Sequence, residues 1–109
     1  MARESLGEFE QLVLLAIMRL GDVAYGVPIV DEIERRTSRA VSRPAVYIAL
    51  RRLAKKGLVT STLAAPTPEP GGRAKRYYRV QKAGIQQLVE ARRDLLNMWD
   101  GVSPALDES

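Results

Sequence analysis

With 109 residues, 46% of them hydrophobic and 28% charged, the chain has the composition of one small folded domain and excludes a wholly disordered one. It holds neither Cys nor His, which removes zinc sites built on those ligands, a thiol nucleophile, a redox pair and the commonest general base. The net charge of +4 hides a segregation: residues 39–82 carry eleven Lys and Arg against one acid, Glu69, for +10, while the segments on either side carry −3 each.

A basic middle of this kind is the electrostatic footprint of a nucleic-acid-binding module, although a membrane surface or an acidic protein would also attract it. The carboxylates are scattered over helix surfaces with no pair spaced for acid–base work. No enzyme is expected, and neither a metal nor a cofactor is assigned. The longest apolar run, Leu12 to Met18, is far too short to span a membrane. No cationic stretch leading into a cleavage site opens the chain, so a cytoplasmic protein without a membrane partner is expected. A domain of this size gains from a second subunit in burying its apolar surface.

Ser5 to Leu20 has the pattern of a first helix, opened by the capping box Ser5-Leu6-Gly7-Glu8 and closed at Gly21. Phe9, Leu12, Val13, Ala16, Ile17 and Leu20 share one face, which should be core. Leu14, Leu15 and Met18 lie on the other side. A helix apolar on two sides is either central to its domain or shared with another chain, and in so small a domain the shared interface is favoured.

A short connection through Tyr25 and Gly26 lets the backbone approach the third helix, and a second helix follows from about Val27 to Thr37. Val27, Val30 and Ile33 give it an apolar side, Pro28 its first turn, and Asp31, Glu32, Glu34, Arg35 and Arg36 a wet side. Four residues later comes Ser42 to Lys56, on which Val46, Ala49, Leu50, Leu53 and Ala54 form an apolar arc. Tyr47, Ile48, Arg51, Arg52, Lys55 and Lys56 face outward, with no carboxylate between Val41 and Gly57 to neutralise them. Ser42 is the expected N-cap, Pro44 sits in the first turn and Gly57 supplies the stop. Two helices joined this closely, the second cationic, make a helix-turn-helix corner.

Beyond Gly57 the period changes. Leu58 to Leu63 and Lys75 to Val80 read as two strands, and the Pro- and Gly-rich Ala64 to Ala74 between them as a long exposed tip. Such a hairpin behind a helix-turn-helix is the wing of a winged helix, aimed at phosphate or the minor groove. Tyr77 and Tyr78 alternate across the second strand, so one should face the core and the other outward. Gly84 to about Val102 is a last helix with Ile85, Leu88, Val89, Leu95, Leu96, Trp99 and Val102 on a stripe that needs a partner. The acidic tail from Ser103 should fray. The fold class expected is mainly α with a small antiparallel β-hairpin.

Leu6 to Leu15, Ala24-Tyr25-Gly26, Ala45 to Leu53, Lys56-Gly57-Leu58-Val59, Gly71-Gly72-Arg73 and Lys75 to Val80 together resemble the PadR family of bacterial transcriptional regulators, over about residues 6 to 100. The resemblance implies a winged-helix homodimer that binds operator DNA as a repressor, with the last helix packed on the partner's first. On that view residues 1–82 form the DNA-binding domain and 83–109 the dimerisation helix and tail. Two departures stand out. Many members follow the second strand with a Thr that caps the last helix, where this chain has Gln81. Some members stack flat aromatic ligands on a Trp in the dimer pore, whereas Trp99 lies about one turn further along and Leu95 nearer that place.

The residues assigned to double-stranded DNA are Ser42, Arg43, Tyr47, Arg51 and Lys55 on the helix and Arg73, Lys75 and Arg76 on the wing. Those assigned to the homodimer interface are Leu14, Leu15, Met18, Leu88, Leu95, Leu96 and Trp99, where Trp99 is read first as an anchor and a role as ligand platform stays open. A small-molecule effector between the subunits stays open. So does a second function, a winged-helix adaptor that docks its basic face on an acidic protein or RNA.

Overall fold

A computed structural model describes residues 6–68 and 72–102. Its order is α1 (Glu8–Leu20), a short 3₁₀ turn (Gly21–Val23), α2 (Gly26–Thr37), α3 (Arg43–Lys55), β1 (Val59–Ala64), β2 (Lys75–Val80) and α4 (Lys82–Trp99). The two strands pair antiparallel, from Val59 opposite Val80 to Ala64 opposite Lys75. This is the expected winged helix-turn-helix with an added C-terminal helix.

Helices α1, α2 and α3 pack on one another around Val13, Ile17, Ile29, Ile33, Val46, Leu50 and Leu53, and Leu58 and Val59 at the root of the hairpin close the core from below. The apolar arcs explain this, since side chains three and four apart stack on one side of a helix. Phe9, Leu12 and Leu20 of the expected α1 face are only partly buried at its rim. Leu14 differs from expectation: it is fully buried in the chain's own core. It is therefore not available to a second subunit, and α1 keeps Leu15 and Met18 as its outward apolar residues. Leu88 is withdrawn in the same way, as one of only two buried residues of α4. Ala54, expected in the core arc, is exposed.

The helix ends depart from expectation for identifiable reasons. Helix α1 starts at Glu8, because Gly7 is its N-cap and donates its backbone N–H to Glu10 Oε1 at 3.1 Å. Ser5, the expected cap, lies outside the described residues. Helix α4 begins at Lys82, two residues early, with Gln81 as an extended N-cap whose side chain does not cap but donates to Thr60 Oγ1 at 2.9 Å. It stops at Trp99, because Gly101 turns the chain into the left-handed region at φ 83°. The acidic tail lies outside the described residues.

Carboxylates tie the scaffold together. Glu32 of α2, 9% exposed, takes Arg19 of α1 at 3.0 Å and Arg35 at 2.6 Å. Glu34 Oε2 accepts the Val41 N–H at 2.9 Å and so holds the connection into α3. Glu10 of α1 receives the Lys56 ammonium at 3.1 Å, across 46 residues of chain. Among the described residues, no helix is long and apolar enough to cross a membrane.

Helix α4 leaves the body. Beyond Leu88 it exposes Val89, Leu95, Leu96, Met98 and Trp99. The radius of gyration is 16.3 Å, against about 13 Å for a compact chain of this length.

The Arg35 guanidinium, helped by Arg19 and outweighing burial, holds the Glu32 carboxyl below the usual glutamate value. A carboxyl lowered by folding stabilises the native state above its unfolded pKa of about 4.3, and that gain is lost as pH falls through the folded value. Glu32→Gln should therefore melt below the parent at pH 7, and thermal melts at falling pH should show the difference closing below about pH 4.

Candidate nucleic-acid interface

Helix α3 is presented by its first turn. Ser42 Oγ accepts the Ala45 N–H at 3.2 Å, and Pro44 fills a position whose missing N–H costs no bond. With Val46, Ala49, Leu50 and Leu53 buried, the opposite side must face out. Arg43, Tyr47, Arg51 and Lys55, spaced four apart, form one exposed stripe along it, and Ile48 and Arg52 lie beside them. None of Arg43, Arg51, Arg52 or Lys55 has an ion-pair partner among the described residues. Lys56 does not belong with them, since Glu10 engages it. Local sequence could not show this, because the neutralising acid lies on α1.

Tyr47 is held from behind. Gly26, the first residue of α2, lies against its ring, so that a methyl group there would sit 2.7 Å from Tyr47 Cζ. Only a residue without Cβ permits this approach. Tyr47 remains 44% exposed.

The wing is tied to the scaffold on both sides. The Tyr78 N–H donates to Ala24 O at 2.8 Å and the Gln81 N–H to Leu58 O at 2.8 Å. Alternation along β2 then divides the pair Lys75 and Arg76, which sequence placed together. Arg76 and Tyr78 face α3, where Arg76 Nη1 donates to Ser61 Oγ at 3.0 Å. Lys75 and Tyr77 face the other way: the Lys75 ammonium stands 4.9 Å over the Tyr25 ring, and Tyr77 meets that ring edge-on at 5.3 Å. Both tyrosines are half-buried rather than one in and one out. Tyr25, given no chemistry from sequence, is the wing's aromatic support. Arg73 is exposed in the loop just ahead of β2, where the Thr67 N–H closes the tip on Gly72 O at 2.7 Å; Gly71 lies outside the described residues.

Between α3 and the hairpin runs a cleft of about 360 Å³ walled by Tyr47, Leu50, Arg51, Ala54, Ser61, Arg76 and Tyr78. Burial raises the Tyr78 phenol above its usual pKa against the lowering effect of Arg76 and Arg51 nearby. It stays protonated at neutral pH. Ser61 and Tyr78 were not among the expected contacts, though their facing positions in an alternating hairpin were a usable signal.

The model of the "Transcriptional regulator PadR-like family" matches residues 14–90. The chain belongs to this PadR-like family. It is a DNA-binding transcriptional regulator, and the family is not one of enzymes. Solved structures agree. A PadR-like transcriptional regulator from Bacillus cereus is 26% identical, with 92% of this chain and 88% of that chain covered at a TM-score of 0.66. A PadR family regulator from Eggerthella lenta is also 26% identical, with 94% and 88% covered at 0.67. One from Clostridium difficile is 19% identical, with 92% and 96% covered at 0.66. No curated protein matches the sequence.

Gly26→Ala should push Tyr47 off its seat, destabilise the fold by about 1–3 kcal/mol in chemical denaturation and weaken duplex binding. Adding Tyr47→Ala should restore the stability and leave the binding weak.

Proposed function

We propose that two copies of this chain form a two-fold dimer through α1 and α4, and that the dimer represses transcription by binding a pseudo-palindromic operator. Residues 1–82 would then serve DNA binding and 83–109 dimerisation. One observation carries this: cations without counter-charges among the described residues line α3 and the α3 side of the wing, on a body whose α4 leaves Leu95 (58% exposed), Leu96 (55%) and Trp99 (41%) uncovered. Leu15 and Met18 of α1, 45% and 48% exposed, would pack against that helix in the partner subunit. Apolar surface on that scale is stabilised by leaving water, at about 25 cal/mol per Å².

Arg43, Tyr47, Arg51 and Lys55 enter or flank the major groove, with Arg73 and Arg76 on adjacent phosphate. Ser42 contributes by capping α3, and Lys75 by steadying the wing on Tyr25. A two-fold dimer reads half-sites about one helical turn apart. A small molecule between the subunits would regulate binding by favouring one separation of the two α3 helices over another.

Mobility shifts on the region upstream of the protein's own coding sequence should show preference over random duplex. With six to ten phosphates neutralised, affinity should fall by ~10³–10⁵ between 50 and 200 mM salt. Equal binding to any duplex would overturn operator recognition. Sedimentation of Leu95→Lys/Trp99→Lys should report a monomer with native helix content where the parent is a dimer; a parent that sediments as a monomer would overturn the two-fold assembly.

A further inference from the structure

The cleft between α3 and the hairpin has a chemistry of its own. It brings two guanidiniums, Arg51 and Arg76, to one concavity of about 360 Å³ with no carboxylate in its walls. Neither has an ion-pair partner among the described residues. Two cations facing one hollow repel each other, and an anion between them reverses the sign of that interaction. The bond from Arg76 Nη1 to Ser61 Oγ at 3.0 Å anchors the guanidinium from the β1 side, leaving its other N–H groups to donate. The Ser61 hydroxyl, accepting there, still has its own proton to give. Tyr78 brings a second hydroxyl, without a hydrogen-bond partner among the described residues.

We propose that this cleft is an oxyanion site that seats a single backbone phosphate of the bound duplex between Arg51 and Arg76, with Ser61 and Tyr78 as hydroxyl donors. It rests on the reading that α3 and the wing meet DNA, and it adds that the α3-facing side of the paired strands, rather than the loop at the tip, clamps the strand. Planar guanidiniums match phosphate oxygens in pairs. The Tyr78 phenol, which burial raises further above its usual value, is a donor at neutral pH. Because helix and wing grip one group, their relative position is fixed by the DNA itself. Free phosphate shares the chemistry and would compete for the same seat.

The test is a double-mutant cycle on the full-length protein, read by anisotropy with a labelled duplex from its own upstream region. Arg51→Gln and Arg76→Gln should each weaken binding about tenfold, and the double variant little more than either, because both act on one phosphate. The double variant should lower the salt slope by about 0.9 per subunit rather than about 1.8. Arg79→Gln, on the other face of β2, should combine with Arg51→Gln independently. Tyr78→Phe should weaken binding with an unchanged melting temperature. In a second arm, inorganic phosphate is titrated into ¹⁵N-labelled protein at constant ionic strength, and saturable movement of both Arg Nε–H signals is expected. If Arg51→Gln and Arg76→Gln multiply independently, the shared phosphate is overturned while DNA binding stands. If the parent fails to bind duplex but the two signals still saturate, the operator account fails and the cleft is a free-phosphate site. If neither signal saturates and the cycle shows no coupling, the site does not exist.

Discussion

The structure depends on where its carboxylates are held. Glu8 pairs with Arg39, Glu10 with Lys56, Glu32 with Arg19 and Arg35, and Glu34 with the Val41 N–H. All four acids lie on α1 or α2 and turn toward the scaffold or the connection into α3. The consequence appears on the far side of α3, where Arg43, Arg51, Arg52 and Lys55 meet solvent without a compensating charge among the described residues. A basic segment alone would describe only composition. Acids held elsewhere by geometry convert it into a surface with a direction, which attracts a polyanion and steers its approach.

The second constraint is apolar. A chain of this length has little interior, and this one places Leu14 and Leu88 inside it while leaving the outer half of α4 bare. The same helix that lengthens the molecule to 56 Å therefore carries the surface that proposed dimerisation would cover. Charge and hydrocarbon are exposed on different elements: α3 and the hairpin present the cations, and α4, with Leu15 and Met18 of α1, presents the apolar side chains. Gly84 joins them, since the first turn of α4 lies so close to Leu58 O that an added methyl group would come within 2.7 Å.

Much of this was legible in sequence, where local rules decide. The α3 stripe, its Ser42 cap, the β2 boundaries and the approach of Gly26 to α3 follow from period, capping chemistry and the special place of glycine. Helix-end details failed where a competing partner intervened: Glu10 capped Gly7, and Gly101 halted α4. Leu14 was misplaced because a helix packed centrally between two others buries more than one stripe, so periodicity alone could not say which apolar side stays outside. The largest omissions were contacts between residues remote in sequence. Glu10 with Lys56 and Tyr25 with Lys75 and Tyr77 cannot be read from spacing, and the resemblance to PadR regulators supplied topology without these pairs.

The central claim is that one surface, made by α3 and the α3-facing side of the hairpin, meets duplex DNA. Hydrogen–deuterium exchange of the intact protein with and without duplex tests it most directly, because it reports where the chain is covered without altering any residue. The account predicts slowed exchange confined to residues 43–55 and 59–80. Slowed exchange centred instead on the wet side of α2, with α3 unchanged, would contradict it.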